Sequence, residues 1–471
     1  MNKQPRTVFL PVSMPSVFKN LVFFEGSVFD RLKNYLKEKN DLRVVLIVQK
    51  KRDYEKYLPV FGPLTGPNFI YEGIDVPLQK SIFQKLFYFF YSYLIYTDTT
   101  RILATMGMRP DEPPAGGKRF LSPLKWLVAN TLGRSNFIKR KAVPYLFLKI
   151  FRGRPFQGLF DAYQPDLVFA SHIYGWFDQI MLAEAKRRGI KTLGMPASWD
   201  HMDKYFMAWK ADELLAPSIQ VKDAAVSFQA YRPEEVSVVG YSYFDFITDQ
   251  KNWVSKKDTL ASLKFPESSR VIIYISGSTY CPDEPDIIET IIKWMDEGHL
   301  GEDARLVIRP YYGGRGKDKE FDEQKFNRFE EHPRVAFYKR EFWGDLEKSK
   351  YFVNLLRHSS LVIATYSTAL MEASIFDKPI MALAFDGYKQ RPLYRSIRRF
   401  KDFVHFQDVI KTGALKIAYD FPQLLEYAQQ YLEDPTIDAA GRAEMREQVC
   451  YKLDGKSSER IFDRIMESLN K

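Results

Sequence analysis

The sequence predicts an α/β protein of two doubly wound, Rossmann-like domains in tandem, each a parallel sheet covered by helices. Two observations carry this. Short, wholly apolar runs alternate with helical patterns along most of the chain, and the series breaks once at a polar stretch before starting again. Apolar runs bounded by polar loops mark strands buried on both faces, as parallel strands are. The length, 471 residues, also exceeds what one small domain needs.

The first run is Thr7–Val12, followed by Ser13-Met14-Pro15. A helical pattern extends from about Ser16 to Lys39, interrupted near Gly26, and Arg43–Gln49 is the next strand. Strand, helix and strand at this spacing form a βαβ unit, which requires a parallel pair. Residues 76–160 are aromatic, basic and helical in pattern, and read as an insertion. Alternation resumes with strand Asp166–Ser171, helix Trp176–Arg188 and strand Ile190–Met195; Leu214–Ala216 and Val236–Gly240 end the first half. Phe244–Lys264 is polar and charged and reads as a linker, so the expected domains are 1–252 and 253–471. The second series has strands Val271–Ser276, Ala304–Arg309, Val335–Tyr338, Leu361–Ala364 and Pro379–Ala384. Helices Asp286–Glu297, Leu346–His358 and Thr368–Phe376 fall between them, and helices near Pro422–Glu433 and Ser457–Leu469 are expected to close the second domain.

The net charge of +10 is local. Pro113–Phe160 contains no Asp or Glu but ten basic residues, among them Lys118, Arg119, Lys125, Lys139, Arg140, Lys141 and Lys149. The other residues carry 59 positive and 59 negative side chains, so the chain is otherwise neutral and an anionic partner at one place is implied. Two cysteines, Cys281 and Cys450, exclude a disulfide scaffold and fit a reducing compartment. The first residues lack the apolar core of a signal peptide. The most apolar run, Leu86–Tyr96, is about half as long as a membrane-spanning helix needs. A cytoplasmic protein, soluble or peripheral, is the expectation.

In doubly wound domains ligands bind beyond the carboxyl ends of the strands. Ser276-Gly277-Ser278-Thr279 follows one strand, and such a small, polar loop lets amides and hydroxyls approach a phosphate. Thr365-Tyr366-Ser367-Thr368 follows another, with Ser367 as a natural N-cap and Glu372 one turn further, placed to accept from ribose hydroxyls. Arg309 ends a strand and suits a leaving diphosphate; Tyr338 and the loop Lys339–Trp343 suit a nucleobase. No two aspartates lie two positions apart, so no metal-bridged diphosphate site of that type and no other cofactor is expected. G-x-G-x-x-G, Walker A and G-x-S-x-G patterns are absent, which argues against dehydrogenases, P-loop enzymes and serine hydrolases. In the first half, the loops Ser171–Trp176 and Ala197–Asp203 follow strands and offer four general-base candidates: His172, Asp178, Asp200 and His201.

These segments together resemble a bacterial GT-B glycosyltransferase of surface-polysaccharide synthesis. Pro165–Val168, Lys186–Ile190, Ser198–Asp200 and Gly240–Asp245 follow a recurring order in such enzymes. Leu361–Asp386 is similar to their nucleotide-sugar segment, and Asp454-Gly455-Lys456-Ser457-Ser458-Glu459-Arg460 to a motif near their C-terminus. The resemblance implies two Rossmann-like domains facing across a cleft. It also implies a diphosphate held by Ser367 and Thr368 and a ribose held by Glu372. Retaining members often show two glutamates eight apart; Ala364 stands eight before Glu372, so inversion is favoured. The CDP-polyol phosphotransferases of teichoic acid synthesis share the second-half pattern, but the H-G pair usual in their first half is absent.

The expected function is transfer of a sugar from a nucleotide-sugar donor to a glycan or lipid-linked acceptor. The alternatives are CDP-polyol phosphate transfer and a non-catalytic GT-B scaffold. Phe83–Tyr96 is aromatic and nearly uncharged, and residues 118–154 mix cations with apolar side chains. That combination suits an anionic membrane surface at the inner face of the plasma membrane. No nucleic-acid motif is present.

Overall fold

The computed structural model describes residues 5–14, 17, 20–22, 24–49, 66–77, 81–110, 119–311, 317–339 and 345–470. The chain divides into two compact units. The first comprises Met1–Thr100, Pro123–Phe246 and Tyr451–Lys471, and the second comprises Arg101–Ser122 and Ile247–Cys450.

The first unit is built on a seven-stranded sheet in the order β3-β2-β1-β4-β5-β6-β7. The strands are β1 (Arg6–Val12), β2 (Leu42–Gln49), β3 (Phe69–Ile74), β4 (Leu167–Ala170), β5 (Lys191–Gly194), β6 (Glu213–Ala216) and β7 (Val236–Val238). Every pairing is parallel. Val44 to Ile47 of β2 and all of β4 are buried, which explains their unbroken apolar sequence. The expected insertion lies in the β3-to-β4 crossover. Helix Ile82–Ser92 packs there against Val143–Ile150, with the Tyr91 ring 6.2 Å from Phe147.

The second unit has a six-stranded parallel sheet in the order β10-β9-β8-β11-β12-β13. Its strands are β8 (Arg270–Ile275), β9 (Ala304–Arg309), β10 (Val335–Phe337), β11 (Leu361–Ala364), β12 (Ile380–Leu383) and β13 (Lys416–Ala418). The short segment Arg101–Ser122 joins this unit. The buried Arg399 guanidinium donates to the carbonyls of Gly107 and Met108, and Arg109 pairs with Asp318 at 2.5 Å.

Three readings of the sequence change. The edge strands β3 and β13 were not expected; both are only partly buried, and their polar residues mask the apolar signal. The supposed linker Phe244–Lys264 is largely helical, with helices Ser242–Thr248 and Lys256–Ala261; a serine caps the second. The last helix, Ser457–Asn470, belongs with the first unit rather than the second. It lies against helix Val28–Glu38 and β4, and Arg464 binds Glu213 at 2.8 Å.

Two of the sequence motifs meet at that helix. Asp245 accepts from the backbone amides of Ser457 at 2.9 Å and Ser458 at 2.7 Å, and Arg460 donates to the Val239 carbonyl. A helix leaves its first amides without internal partners, and Asp245 supplies them from across the fold. Gly240 has φ +91°, and a Cβ there would come within 2.3 Å of Ser457 Oγ. Asp245→Ala should therefore cost about 1–2 kcal/mol, read by urea unfolding. A midpoint equal to the wild type would show that the helix docks without this cap.

Candidate functional site

In the first sheet, β1, β2 and β3 succeed one another in one direction and β4 to β7 in the other. The reversal lies between β1 and β4, and the crevice beyond the carboxyl ends of such a pair is where doubly wound sheets hold ligands. The loop after β1 supplies Ser13 and the loop after β4 supplies His172. Asp178 comes from the first turn of helix Trp176–Arg187, which starts in the same crevice.

These three side chains form one cluster. Ser13 Oγ donates to Asp178 Oδ2 at 2.6 Å and lies 3.2 Å from His172 Nδ1. The second carboxylate oxygen of Asp178 accepts from the His172 amide at 2.9 Å. Asp178 is fully buried and His172 is 8% exposed. Burial pushes the Asp178 carboxyl up to about 7, against the Ser13 and His172 donors that favour its charged form. The imidazole sits so close to the chain at Gly175 that a Cβ there would meet Nδ1 at 2.5 Å, so only glycine fits.

His201 lies beside this cluster, its ring centroid 5.3 Å from that of His172 and stacked on Tyr174 at 4.9 Å. Asp200 is paired with Lys204, and its nearest oxygen is 3.9 Å from His201 Nε2. The four candidates named from the sequence thus lie near one another, but with different partners. His172 and Asp178 are linked through Ser13, whereas Asp200 is neutralised by a lysine. Sequence reasoning missed Ser13. Its only signal was its position at the end of the first strand, and that acquires meaning only once β1 and β4 are known to be neighbours.

A pocket of about 370 Å³ adjoins the cluster, lined by Tyr88, Tyr91, Tyr174, Trp176, Tyr205 and Phe206. Two of these tyrosines come from the inserted helix Ile82–Ser92. The insertion is fastened to the loop bearing His201. Thr99 donates to Asp203 Oδ2 at 2.8 Å, and the Phe206 amide donates to the Ser92 carbonyl at 3.0 Å.

In the second sheet the reversal lies between β8 and β11, so the crevice is bounded by the two loops singled out from the sequence. Their contacts differ from the expectation. The Gly277 amide donates to Glu284 Oε1 at 3.0 Å, and Ser278 Oγ donates to Asp322 at 2.8 Å. Carboxylates thus already hold the donors offered to a phosphate; Thr279 is half-buried nearby. Glu284 is itself buried against Lys325, which also donates to the Gly277 carbonyl at 3.2 Å. Ser367 accepts from the Ala369 amide at 3.3 Å, ahead of a short helix, Ala369–Ile375. Thr365 and Glu372 are buried and Thr368 is exposed. Arg309 stacks over Phe352 at 4.2 Å. Tyr338 is not available to a nucleobase. It is buried, its ring lies on Phe352 at 5.1 Å, and its hydroxyl donates to the Lys348 carbonyl at 2.7 Å. Residues 340–344 of the loop beyond it lie outside the described residues.

A second recess in this unit, of about 170 Å³, escaped sequence reasoning. Lys389, Arg391 and Arg398 line it together with Tyr419 and Phe421. Arg391 binds Asp283 at 2.7 Å and Arg398 donates to the Arg391 carbonyl at 2.6 Å. Asp386 and Asp420 line it as well, and Asp283 pairs with both Lys389 and Arg391, so acidic side chains offset much of its positive charge.

The basic segment is also redistributed. Lys125 is buried over the Tyr93 ring at 4.6 Å, Lys139 is buried against Phe206, and Arg140 is engaged by Glu235 at 3.0 Å. Their long apolar stems reach inward, as such side chains do over aromatic surface. Arg119, Lys141 and Lys149 are exposed, and Lys118 lies outside the described residues. Among the described residues no cluster of His, Cys, Asp and Glu is arranged to hold a metal ion.

With this geometry in hand, comparison with known proteins adds three findings. Residues 325–467 match the family of CDP-glycerol:poly(glycerophosphate) glycerophosphotransferases. No curated protein matches the chain in sequence. Solved structures share the fold over nearly the whole chain. A protein assigned as a UDP-N-acetylglucosamine 2-epimerase from Listeria monocytogenes is 14% identical with a TM-score of 0.55, over 99% of this chain and 96% of that one. The S. aureus MnaA–UDP complex is 14% identical with a TM-score of 0.53, over 99% and 97%. The UDP-GlcNAc 2-epimerase of Neisseria meningitidis bound to UDP-GlcNAc is 12% identical with a TM-score of 0.53, over 98% and 100%. The fold is therefore of the GT-B type, two Rossmann-like domains, and residues 325–467 are similar to the glycerophosphotransferase family.

Proposed function

We propose that the chain is a transferase that moves a nucleotide-activated group, a CDP-linked polyol phosphate, onto the hydroxyl of a cell-envelope acceptor. The observation that carries this is the match of residues 325–467 to the glycerophosphotransferase family. The second unit then binds the donor, with Ser367, Thr368 and Glu372 toward its diphosphate and ribose. The first unit binds the acceptor. Its aromatic pocket takes the acceptor body, and His172 removes the proton from the attacking hydroxyl. Sugar transfer from a nucleotide sugar is the second reading. It is favoured by the missing H-G pair in the first half, and it asks the same of His172.

A thermal-shift panel of CDP-polyols, UDP-sugars and GDP-sugars separates the readings. Stabilisation by CDP-polyols alone, lost in Glu372→Ala, supports the first. A response only to nucleotide sugars replaces it with the second, and none at all points to a scaffold.

The acceptor is lipid-linked in this reading, and the first unit meets an anionic bilayer from the cytoplasmic side. Ile82, Phe83, Leu86 and Phe90 form an exposed stripe at helical spacing. Trp126, Leu127, Phe137, Tyr145 and Leu146 are exposed as well, beside the exposed Arg134, Lys141 and Lys149. Exposed apolar side chains among cations match a headgroup boundary. Among the described residues no helix is long and apolar enough to cross a membrane. The chain should float with anionic liposomes, and a Phe83→Ser, Trp126→Ser, Phe137→Ser variant should stay at the bottom of the gradient. Equal flotation of both proteins removes the aromatic surface from the proposal.

A further inference from the structure

The Ser13–His172–Asp178 cluster holds more than a general base. A serine hydroxyl has one proton to give, and here it is directed at Asp178 Oδ2, 2.6 Å away. Toward His172 Nδ1, at 3.2 Å, the same oxygen can then only accept. With Asp178 ionised, this places the proton of the neutral imidazole on Nδ1 and the lone pair on Nε2. A carboxylate directly on the imidazole would favour an imidazolium after proton uptake. Here the Ser13 hydroxyl stands between the imidazole and the carboxyl. The carboxyl is also fully buried, where charge is costly.

We propose that Ser13 is a proton relay, carrying the Nδ1 proton of His172 to Asp178 when Nε2 takes up the proton of the acceptor hydroxyl. The role in turnover rests on the transferase reading above; the proton transfer itself does not. The step balances. The acceptor O–H breaks and Nε2–H forms, Nδ1–H breaks as Oγ–H forms, and the original Ser13 proton passes to Asp178 Oδ2. Histidine ends neutral with its proton on Nε2, and Asp178 ends as a neutral acid donating back to Ser13. No cation is left in the crevice, and the charge transferred from the acceptor is absorbed by discharging a buried carboxylate. The upward displacement of the Asp178 carboxyl by burial agrees with this, since both of its forms then occur near neutrality. Ionisable groups beside the imidazole include His201, stacked in turn on Tyr174, with Asp200 paired to Lys204. Ser13 is a positioning and relay residue; it need not touch the acceptor.

Nitrogen-15 histidine labelling of the full chain tests this without any substrate. The chain has six histidines, and His172→Gln assigns the signal. Expected is an Nδ1–H tautomer at about pH 8 that converts to an Nε2–H tautomer, still neutral, by about pH 6. Ser13→Thr keeps the conversion. Ser13→Ala, confirmed as folded by circular dichroism, loses it and titrates to imidazolium. An imidazolium in the wild type over the same range, or identical titrations of wild type and Ser13→Ala, overturns the relay. If Ser13→Ala does not fold, Asp178→Asn gives the same readout, since an amide cannot take up the proton. Tautomer conversion without turnover on any donor would sink the transferase reading and leave the relay standing. Turnover with a titrating imidazolium would do the reverse.

Discussion

A Lys325→Met variant is expected to lose about 3–5 kcal/mol of stability, the largest effect of any single change considered. Lys325 and Glu284 are both almost wholly buried and paired, and the same carboxylate accepts from the Gly277 amide and the Tyr274 hydroxyl. Removing the cation leaves a carboxylate in an apolar surround, where it must remain charged at a cost or take up a proton. Burial already holds the Glu284 carboxyl above its ordinary range despite Lys325. Without the lysine it rises further. A carboxyl raised in the folded state stabilises fully below its unfolded pKa and loses that contribution as pH rises through the folded value. The deficit of the variant should therefore be small near pH 5 and largest near pH 8. Urea unfolding at both values measures this, and Glu284→Gln added to Lys325→Met should recover part of the loss. A deficit independent of pH would mean that Glu284 is not the group left stranded.

His172→Gln is expected to lower kcat by about 10²–10⁴-fold with the donor identified in the ligand panel. Glutamine preserves the size of the side chain but supplies no nitrogen lone pair at the position of Nε2. Asp200→Asn, by contrast, should change kcat by less than about tenfold, because Lys204 already occupies that carboxylate. If the two variants are equally impaired, the base has been placed on the wrong side chain. If only Asp200→Asn is impaired, the roles are exchanged.

The plainest strands in the sequence are those with long buried apolar runs, such as Val44–Val48 of β2 and the whole of β4. β3 and β13 stayed hidden because they are partly buried and carry polar or glycine residues among few apolar ones, whereas the edge strands β7 and β10 were read. The candidate base cluster was legible in part. His172 and Asp178 stand close together at the end of a strand, whereas Ser13 lies 159 residues from His172 and joins it only through the strand order. The second-unit loops were located correctly but not their partners. Nothing in Gly277-Ser278 announces that Glu284 and Asp322 will take its donors, since those contacts depend on how helices pack. Charge was the least legible feature. A count of cations along the chain cannot tell an exposed Lys141 from Lys139 and Lys125, which lie inward over aromatic rings.

The docking of Ser457–Asn470 on the first unit has a consequence for biogenesis. A ribosome delivers the strands of the first sheet early, yet the helix that covers β4 emerges only after all of the second unit. Domains that form during synthesis usually do so from the N-terminus onward. Here that order is inverted: the second unit is complete as a polypeptide while the first still waits for its final helix. Until then, the faces of β4 and helix Val28–Glu38 that this last helix covers stay exposed. Nascent chains stalled before residue 457 should hence be the ones that chaperones hold longest.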